Sequence, residues 1–479
     1  MLFNSFAFLL VFLPCTFLLT EATSRFLSAR FAMATLTVAS WVFYAFSGIR
    51  FLGLLLALTI VNYLIGRFIA GSSDPFKRAF LAIGCALNLS VLGYFKYRGF
   101  AIDTIDSAFG LHFPIPQLIL PLGISFFIFQ KIAFLADSYA GRIKKFDFLE
   151  YCLFVAFFPQ LIAGPIVHYT EMQPQFDRTP WAALRSTDFV RGFALISIGL
   201  FKKVVLADSL SPNADWLFNT GGQLHLSWID AVVGMLSFGF QIYFDFSGYS
   251  DIAIGLAALF GLQLPLNFSS PYKSLSIIEF WRTWHMTLSR FLRDYLYIPL
   301  GGNRHGVLRR YANLIVTMVL GGLWHGPAWT FAVWGLLHGA YLCVNHLWRY
   351  LCERSHACAR VDDLPGISFL YWCLTFVAVM LAWCLFRAPS FATGIDVITA
   401  LADPDWAAET HFGIQDITLT VVAWAWVVLL PNSQEVVSRI ETSRPRWQPW
   451  YGAAIGFAFT CSLYFINIGQ HENFIYFRF

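Results

Sequence analysis

Two histidines lie where an imidazole could carry out acid–base chemistry. His325 lies in the element Trp324-His325-Gly326-Pro327, inside a long apolar run. An ionisable residue in such a run is costly and marks a functional site by default. A neutral imidazole can take a proton from a hydroxyl, because its reference pKa is about 6.5. The alternative is a structural histidine bonded to a carbonyl that the Gly-Pro break exposes.

The second histidine belongs to an amphipathic, aromatic and basic segment, 272–304. On one continuous helix, at about 100° per residue, the side chains of Arg282, His285, Ser289 and Arg293 would share a face. That face could bind a phosphate-bearing donor or anionic lipid headgroups. The alternative is an interfacial helix whose arginines extend to the headgroups.

Further polar side chains interrupt apolar sequence at Asp245, Asp251 and His338. A buried carboxylate usually pairs with a basic residue or a helix N-terminus, so structural pairing is the first interpretation of both aspartates. A contact with substrate or donor is the second interpretation, and we assign it to Asp245. On a continuous helix His338 would lie about 20 Å beyond His325, which predicts a packing or channel-lining role.

The elements that must position these residues are membrane spans. The chain is 58% hydrophobic and 13% charged, whereas soluble proteins are about 25% charged. Its 51 Phe and 17 Trp fit a surface that faces lipid, with amphipathic rings at the headgroup level. The net charge of +4 is spread over loops and predicts no nucleic-acid partner.

The fold class predicted from these runs is an all-α polytopic membrane protein. Runs long enough to cross about 30 Å of hydrocarbon predict about ten to twelve transmembrane helices. They lie near 3–21, 31–48, 51–69, 79–95, 117–136, 187–207, 226–246, 325–348, 366–386, 414–431 and 450–469. Gly and Pro interrupt 149–167 and 309–324, which we interpret as re-entrant segments that protein or water must cover.

Loop charge predicts the orientation of the spans, because Lys and Arg favour the cytoplasmic side. Basic residues mark every second loop, which places the N-terminus outside. They are Arg25 and Arg30, then Lys77 and Arg78, then Arg142, Lys144 and Lys145. The basic stretch 267–310 should be cytoplasmic. The stretch 208–225 has no Lys or Arg and should be external, although Lys202 and Lys203 favour the opposite.

Organisation beyond the spans is simple. We find no fixed-period repeat and no long linker, so we predict one membrane domain over 1–479, with a catalytic core over about 117–350. The cysteines form no C-x-x-C pair, which predicts free thiols and no metal site. The G-x-S-x-G, Walker A and H-E-x-x-H signatures are absent from the sequence.

Five ordered blocks and a closing motif resemble one family. The sequence is similar to the membrane-bound O-acyltransferases, and among them to the bacterial alginate O-acetyltransferase branch. The blocks are Pro121–Gln130, Phe158–Pro165, Tyr243–Gly255, Phe280–Pro299 and Gly321–Gly339, followed by Phe474-Ile-Tyr-Phe.

The resemblance implies roles for individual residues. The family's catalytic histidine lies in a Trp-His-Gly element, which here is His325, and a second polar residue about forty positions upstream corresponds to His285. We assign donor or substrate binding to Trp284 and Trp324, which precede the two histidines, and to Arg282, Ser289, Arg293 and Asp245.

The resemblance also implies a fold and a set of partners. Family members form a helical funnel, including re-entrant and interfacial helices, with the histidine pair near a constriction reached from both membrane faces. We expect no bound cofactor. The co-substrate would be acetyl-coenzyme A or an acyl-carrier thioester, on the side rich in Arg282, Arg290 and Arg293. A periplasmic acetyltransferase partner and a polysaccharide acceptor would complete the reaction at the bacterial inner membrane.

The acceptor and the functional class have alternatives. Alginate is the first candidate acceptor, with peptidoglycan and cellulose also open. A transporter or flippase for a polysaccharide precursor would share the composition, but it predicts inverted repeats with paired broken helices, and the sequence shows no such symmetry. A scaffold that anchors a periplasmic acetylation complex is the third alternative.

Overall fold

The computed structural model describes residues 1–114, 118–176, 186–220, 226–355, 360–403, 408–444, 446, 448–469 and 474–475. Throughout these residues the regular secondary structure is helical, with no strand. The helices of the first half are α1 (Ala7–Phe26), α2 (Ala29–Ala45), α3 (Ile49–Gly71), α4 (Asp74–Phe109), α5 (Ile124–Tyr139), α6 (Phe148–Ala156), α7 (Phe158–Leu161), α8 (Tyr169–Phe176), α9 (Ser186–Leu200) and α10 (Asp208–Thr220).

The second half of the chain continues in the same way. Its helices are α11 (Trp228–Leu259), α12 (Ile277–Thr283), α13 (Met286–Leu292), α14 (Val307–His325), α15 (Trp329–Arg354), α16 (Ile367–Arg387), α17 (Phe391–Ala402), α18 (Ile414–Leu429), α19 (Ser433–Thr442) and α20 (Gln448–Ile468). Short π-helical turns continue α9 over Phe201–Ala207 and α13 over Arg293–Tyr297.

Six of the described helices are long and apolar enough to cross a bilayer. They are α1, α3, α4, α11, α16 and α20. The pair α18 and α19, bent by 57°, would add a seventh span. The prediction of an all-α polytopic membrane protein is therefore confirmed, and the number of about ten to twelve crossings stays a prediction.

The segment 149–167 is broken where the sequence predicts a break. Helix α6 ends at Ala156, and the short helix α7 follows after Phe157. Every residue from 151 to 167 is buried. The surrounding protein thus supplies the cover that non-helical backbone needs at membrane depth.

The predicted break within 309–324 is wrong, because α14 is continuous from Val307 to His325. The glycines serve close packing against α15 instead. A Cβ on Gly322 would lie 2.2 Å from the carbonyl oxygen of Phe331, and one on Gly335 would lie 2.3 Å from that of Met318. Only a residue without a side chain lets the two backbones approach so closely.

Two lysines near the end of the predicted span 187–207 are buried. Lys202 Nζ lies 2.8 Å from Asp251 Oδ2, and Lys203 Nζ lies 2.7 Å from Asp245 Oδ1 and 2.6 Å from Asp208 Oδ1. Lys202 and Lys203 are therefore uninformative about orientation. The predicted external loop 208–225 is helix α10 as far as Thr220, while 221–225 lie outside the described residues.

Breaking the pair between Lys203 and Asp245 should destabilise the fold. Replacing Lys203 by Met leaves a buried carboxylate without its cation, which costs about 3–5 kcal/mol. Unfolding by SDS titration in mixed micelles measures this loss. Glu21→Gln removes the exposed pair with Arg25 and is the control, expected to cost at most about 1 kcal/mol. Equal stability of both variants would contradict the prediction.

Candidate active site

His285 lies in a strained break between two short helices. Helix α12 ends at Thr283 and α13 begins at Met286, so the prediction of one continuous helix through 282–293 is wrong. His285 has φ +42° and ψ +52°. A non-glycine residue in this left-handed region costs about 1–3 kcal/mol and persists only where its surroundings fix it. The break buries His285 completely, while Arg282 on the preceding helix stays exposed.

Asn267 fixes the orientation of the His285 ring. Its Oδ1 lies 2.9 Å from Nδ1 of His285 and also accepts hydrogen bonds from the backbone N–H (3.4 Å) and the hydroxyl (3.0 Å) of Thr287. Because a backbone N–H can only donate, this atom is the amide oxygen, and the imidazole donates from Nδ1. The Nε2 of a neutral ring is then a hydrogen-bond acceptor.

The Nε2 atom of His285 is buried and has no hydrogen-bond partner among the described residues. Buried polar atoms are nearly always bonded, and an exception calls for an explanation such as a ligand. The ring packs edge-on against Phe246, with centroids 4.6 Å apart. Nε2 is therefore oriented by the fold, but no described residue satisfies it.

The structure brings His325 next to His285. His325 is the last residue of α14 and is 3% exposed. Its ring centroid lies 6.3 Å from that of His285 and 5.0 Å from that of Trp324, whose own ring lies 6.0 Å from His285. Trp334 and Phe386 pack on the other sides of His325, each 5.3 Å away. The two imidazoles thus share one aromatic enclosure.

A pocket connects His325 with the surface. It is lined by residues that include Lys96, Ser125, Phe126, Ala163 and His325. Residues 120–123 also line it, and Leu120 is 36% exposed. The loop that contains them follows α4 and alternates with the basic loops of the sequence, so it lies on the predicted external side. A small hydroxyl-bearing group could reach His325 from there.

His338 is closer to His325 than the sequence suggests. The helix breaks between His325 and Trp329, so the expected separation along one continuous helix is wrong. The ring of Trp334 contacts both histidines, at 5.3 Å from His325 and 4.8 Å from His338. His338 Nδ1 accepts a hydrogen bond from the indole N–H of Trp281 at 3.2 Å. This contact fits the predicted packing role.

The remaining predicted site residues mostly make contacts within the protein. Trp284 stacks on Phe280 at 5.6 Å and supports the backbone of the next residue, His285. The hydroxyl of Ser289 donates to the carbonyl of Trp284 at 3.4 Å. Asp245, besides its ion pair, accepts the backbone N–H of Ile475 at 2.8 Å.

The three arginines differ in their partners. Arg293 pairs with Asp294 at 2.7 Å, and Arg290 forms a two-point contact with Glu171. Within the described part of the chain, no carboxylate lies within 4 Å of Arg282. Of these three guanidinium groups, that of Arg282 is therefore the most available to an anionic ligand.

Sequence reasoning missed two residues of the site, Lys96 and Asn267. Lys96 is an ionisable residue at the end of the apolar run 79–95, and the rule that singled out His325 applies to it as well. Asn267 lies in a non-helical segment next to Phe268 and two serines. Nothing in that local pattern sets it apart from an ordinary loop residue.

The helices define an integral membrane protein, and its buried histidine pair is the candidate acid–base site. The chain belongs to the membrane-bound O-acyltransferase family, whose model matches residues 5–387. It is therefore an O-acyltransferase, and the family predicted from the sequence blocks is confirmed. The transporter and scaffold alternatives do not agree with this assignment.

Two relatives with different named substrates match the chain at equal identity, and a third matches at lower identity. The peptidoglycan O-acetyltransferase of Helicobacter pylori is 42% identical over 86% of this chain and 81% of the relative. The probable alginate O-acetylase AlgI of Azotobacter vinelandii is 42% identical over 90% and 84%. A teichoic acid D-alanyltransferase of Streptococcus thermophilus is 29% identical over 55% and 68%.

Replacing Asn267 by Ala should impair acyl transfer without unfolding the protein. The variant frees the His285 ring to rotate and removes the acceptor that places the proton on Nδ1. We expect kcat to fall about tenfold or more, equivalent to at least about 1.4 kcal/mol of transition-state stabilisation. Steady-state release of thiol from an acyl thioester measures this effect.

Ser250→Ala is the matched control for Asn267→Ala. It removes the hydroxyl that accepts from Asn267 Nδ2 at 3.3 Å but leaves the contact with His285 intact. It should retain most of the activity. Full activity in the Asn267 variant would show that His285 needs no such orientation.

Proposed function

We propose that this protein moves an acetyl group from a cytoplasmic thioester across the bacterial inner membrane for the O-acetylation of an extracytoplasmic polysaccharide. The donor is acetyl-coenzyme A or an acyl-carrier thioester, and a periplasmic acetyltransferase partner completes the modification of the polymer. The buried pair His285 and His325, of which His325 lines a pocket on the predicted external side, is the observation that supports this proposal most directly.

His325 is the general base of the proposed mechanism. It takes the proton of the acceptor hydroxyl while the hydroxyl oxygen attacks the carbonyl carbon of the thioester. The carbon–sulfur bond then breaks, and the imidazolium returns the proton to the leaving thiolate. The products are an ester and a free thiol.

The proposed role of His285 differs from that of His325, because Nδ1 of His285 donates a hydrogen bond to Asn267. A neutral ring that donates from Nδ1 has only an acceptor at Nε2, so it cannot polarise a carbonyl by donating a hydrogen bond. It can hold the donor by accepting a hydrogen bond from one of the donor's N–H groups. Holding both substrates in one orientation lowers the entropic part of the barrier.

Trp324 is the candidate donor to the charge that develops on the carbonyl oxygen. Its indole Nε1 is buried and has no hydrogen-bond partner among the described residues. Its ring contacts both His285 and His325. A fixed donor in an enclosed site stabilises an oxyanion without first having to reorganise. The same enclosure excludes water and limits hydrolysis of the thioester.

Alginate is the first candidate acceptor, since probable alginate O-acetylases of Azotobacter and Pseudomonas species match the chain at 38–42% identity. Peptidoglycan is the second, because the Helicobacter pylori relative matches as well. Expression in hosts that lack their own alginate or peptidoglycan O-acetyltransferase distinguishes the two. Ester-linked acetate should return to only one of the two polymers.

Replacing His325 by Ala should abolish acetyl transfer while membrane insertion stays normal. Loss of the general base accounts for about 10²–10⁴-fold of the rate. Purified protein with labelled acetyl-coenzyme A reports the release of free coenzyme A, and ester-linked acetate reports transfer to the polymer. His338→Gln is the matched control and should keep most of the activity. Wild-type acetate content in His325→Ala would refute the assignment of the base.

Replacing Arg282 by Ala should weaken donor binding rather than catalysis. The exposed guanidinium would contact the phosphates of coenzyme A, so we expect KM for acetyl-coenzyme A to rise about tenfold with little change in kcat. The effect should shrink at high salt. Arg50→Ala, an exposed arginine on the predicted external side, is the control. An unchanged KM in the Arg282 variant would exclude this contact.

A further inference from the structure

Two side chains of α4 close the buried end of α14. Lys96 Nζ donates to the carbonyls of Trp324 at 2.6 Å and His325 at 3.0 Å, and the Tyr97 hydroxyl donates to that of Leu323 at 2.9 Å. The last carbonyls of a helix have no partner within the helix. Inside a protein each unpaired one costs about 1–3 kcal/mol. Three consecutive carbonyls that end at His325 are thus bonded by side chains distant in sequence.

Providing these hydrogen bonds with the buried side chain of Lys96 has a large free-energy cost. It is 9% exposed, and among the described residues no carboxylate lies within 4 Å of its Nζ. By contrast, Lys202 and Lys203 each have an aspartate partner. Burying a cation without a counter-ion is strongly unfavourable, and the negative end of the helix dipole offsets only part of that penalty. Stability alone would favour an uncharged residue here.

The place of Lys96 indicates what this residue does. It lines the same pocket as His325, and its Nζ lies 5.9 Å from the centroid of the Trp324 ring. Immediately after His325 the chain leaves the helix at Gly326, which has extended backbone (φ −157°, ψ 150°). Without its hydrogen bonds the last turn of α14 could fray, and the His325 ring would move with it.

We propose that Lys96 is the positioning residue of His325, holding the base at its reacting position through the backbone of the last helical turn. This inference rests on the proposed role of His325 as the general base. A displacement of about 1 Å at a reacting group can lower the rate about 10²-fold. Lys96 acts through His325, and Tyr97 supports the same turn.

Kinetics of Lys96→Met and Lys96→Arg, in nanodiscs with acetyl-coenzyme A as the probe, test the proposal. Methionine keeps an apolar stem but has no donor, so kcat should fall about 10²-fold while KM for the donor changes less than about threefold. Arginine keeps the donors and should recover at least about tenfold of that loss. Tyr97→Phe removes one hydrogen bond and should lower kcat in the same direction by a smaller factor.

Lys131→Met is the matched control, because Lys131 is a fully buried lysine of α5 and is absent from the pocket lining. It should keep the wild-type kcat. Wild-type kcat in Lys96→Met would overturn the proposal, and so would an equal loss in the Met and Arg variants accompanied by a lowered melting temperature in both. If His325→Ala is inactive while Lys96→Met is fully active, only this inference fails. If His325→Ala is active, the proposed function fails.

Discussion

A helix that ends inside the protein is the constraint on which the site depends. The carbonyls of Leu323, Trp324 and His325 cannot all be satisfied within α14, because the last carbonyls of a helix have no partner inside it. Donors from α4 satisfy them. His325, the last residue of this helix, lines the pocket. The backbone that carries the candidate base is thus fixed by how one helix end is hydrogen-bonded.

A second buried contact connects the far end of the described chain with the site. Asp245 accepts the backbone N–H of Ile475 and pairs with Lys203. Phe474 packs on Phe246 at 5.7 Å, and Phe246 packs on His285 at 4.6 Å. The closing motif that helped to indicate the family therefore has a structural reason. Its first residue, Phe474, packs on Phe246, which in turn contacts the ring of His285, while 476–477 lie outside the described residues.

Backbone strain and an unsatisfied buried polar atom occur in the same residue, His285. His285 has a left-handed backbone conformation that few non-glycine residues adopt, and its Nε2 is buried with no hydrogen-bond partner among the described residues. Each feature lowers stability. Their coincidence next to His325 is typical of a site where substrate contacts, absent from the free protein, supply what the fold leaves unsatisfied.

The sequence by itself determined the family of the protein and its location in a lipid bilayer. The content of apolar residues required a bilayer, and the blocks around His285 and His325 identified the family that the comparison confirmed. These features are local in sequence, so periodicity and motif suffice to find them.

Only the tertiary structure decided which polar groups meet. Helical periodicity placed Arg282 and His285 on one face, but burial of the histidine required a left-handed break between them. The contacts of Lys96 with His325 and of Asn267 with His285 span 229 and 18 residues. The hydrogen-bond partner of a buried group depends on which helices pack together, and spacing along one helix carries no information about that.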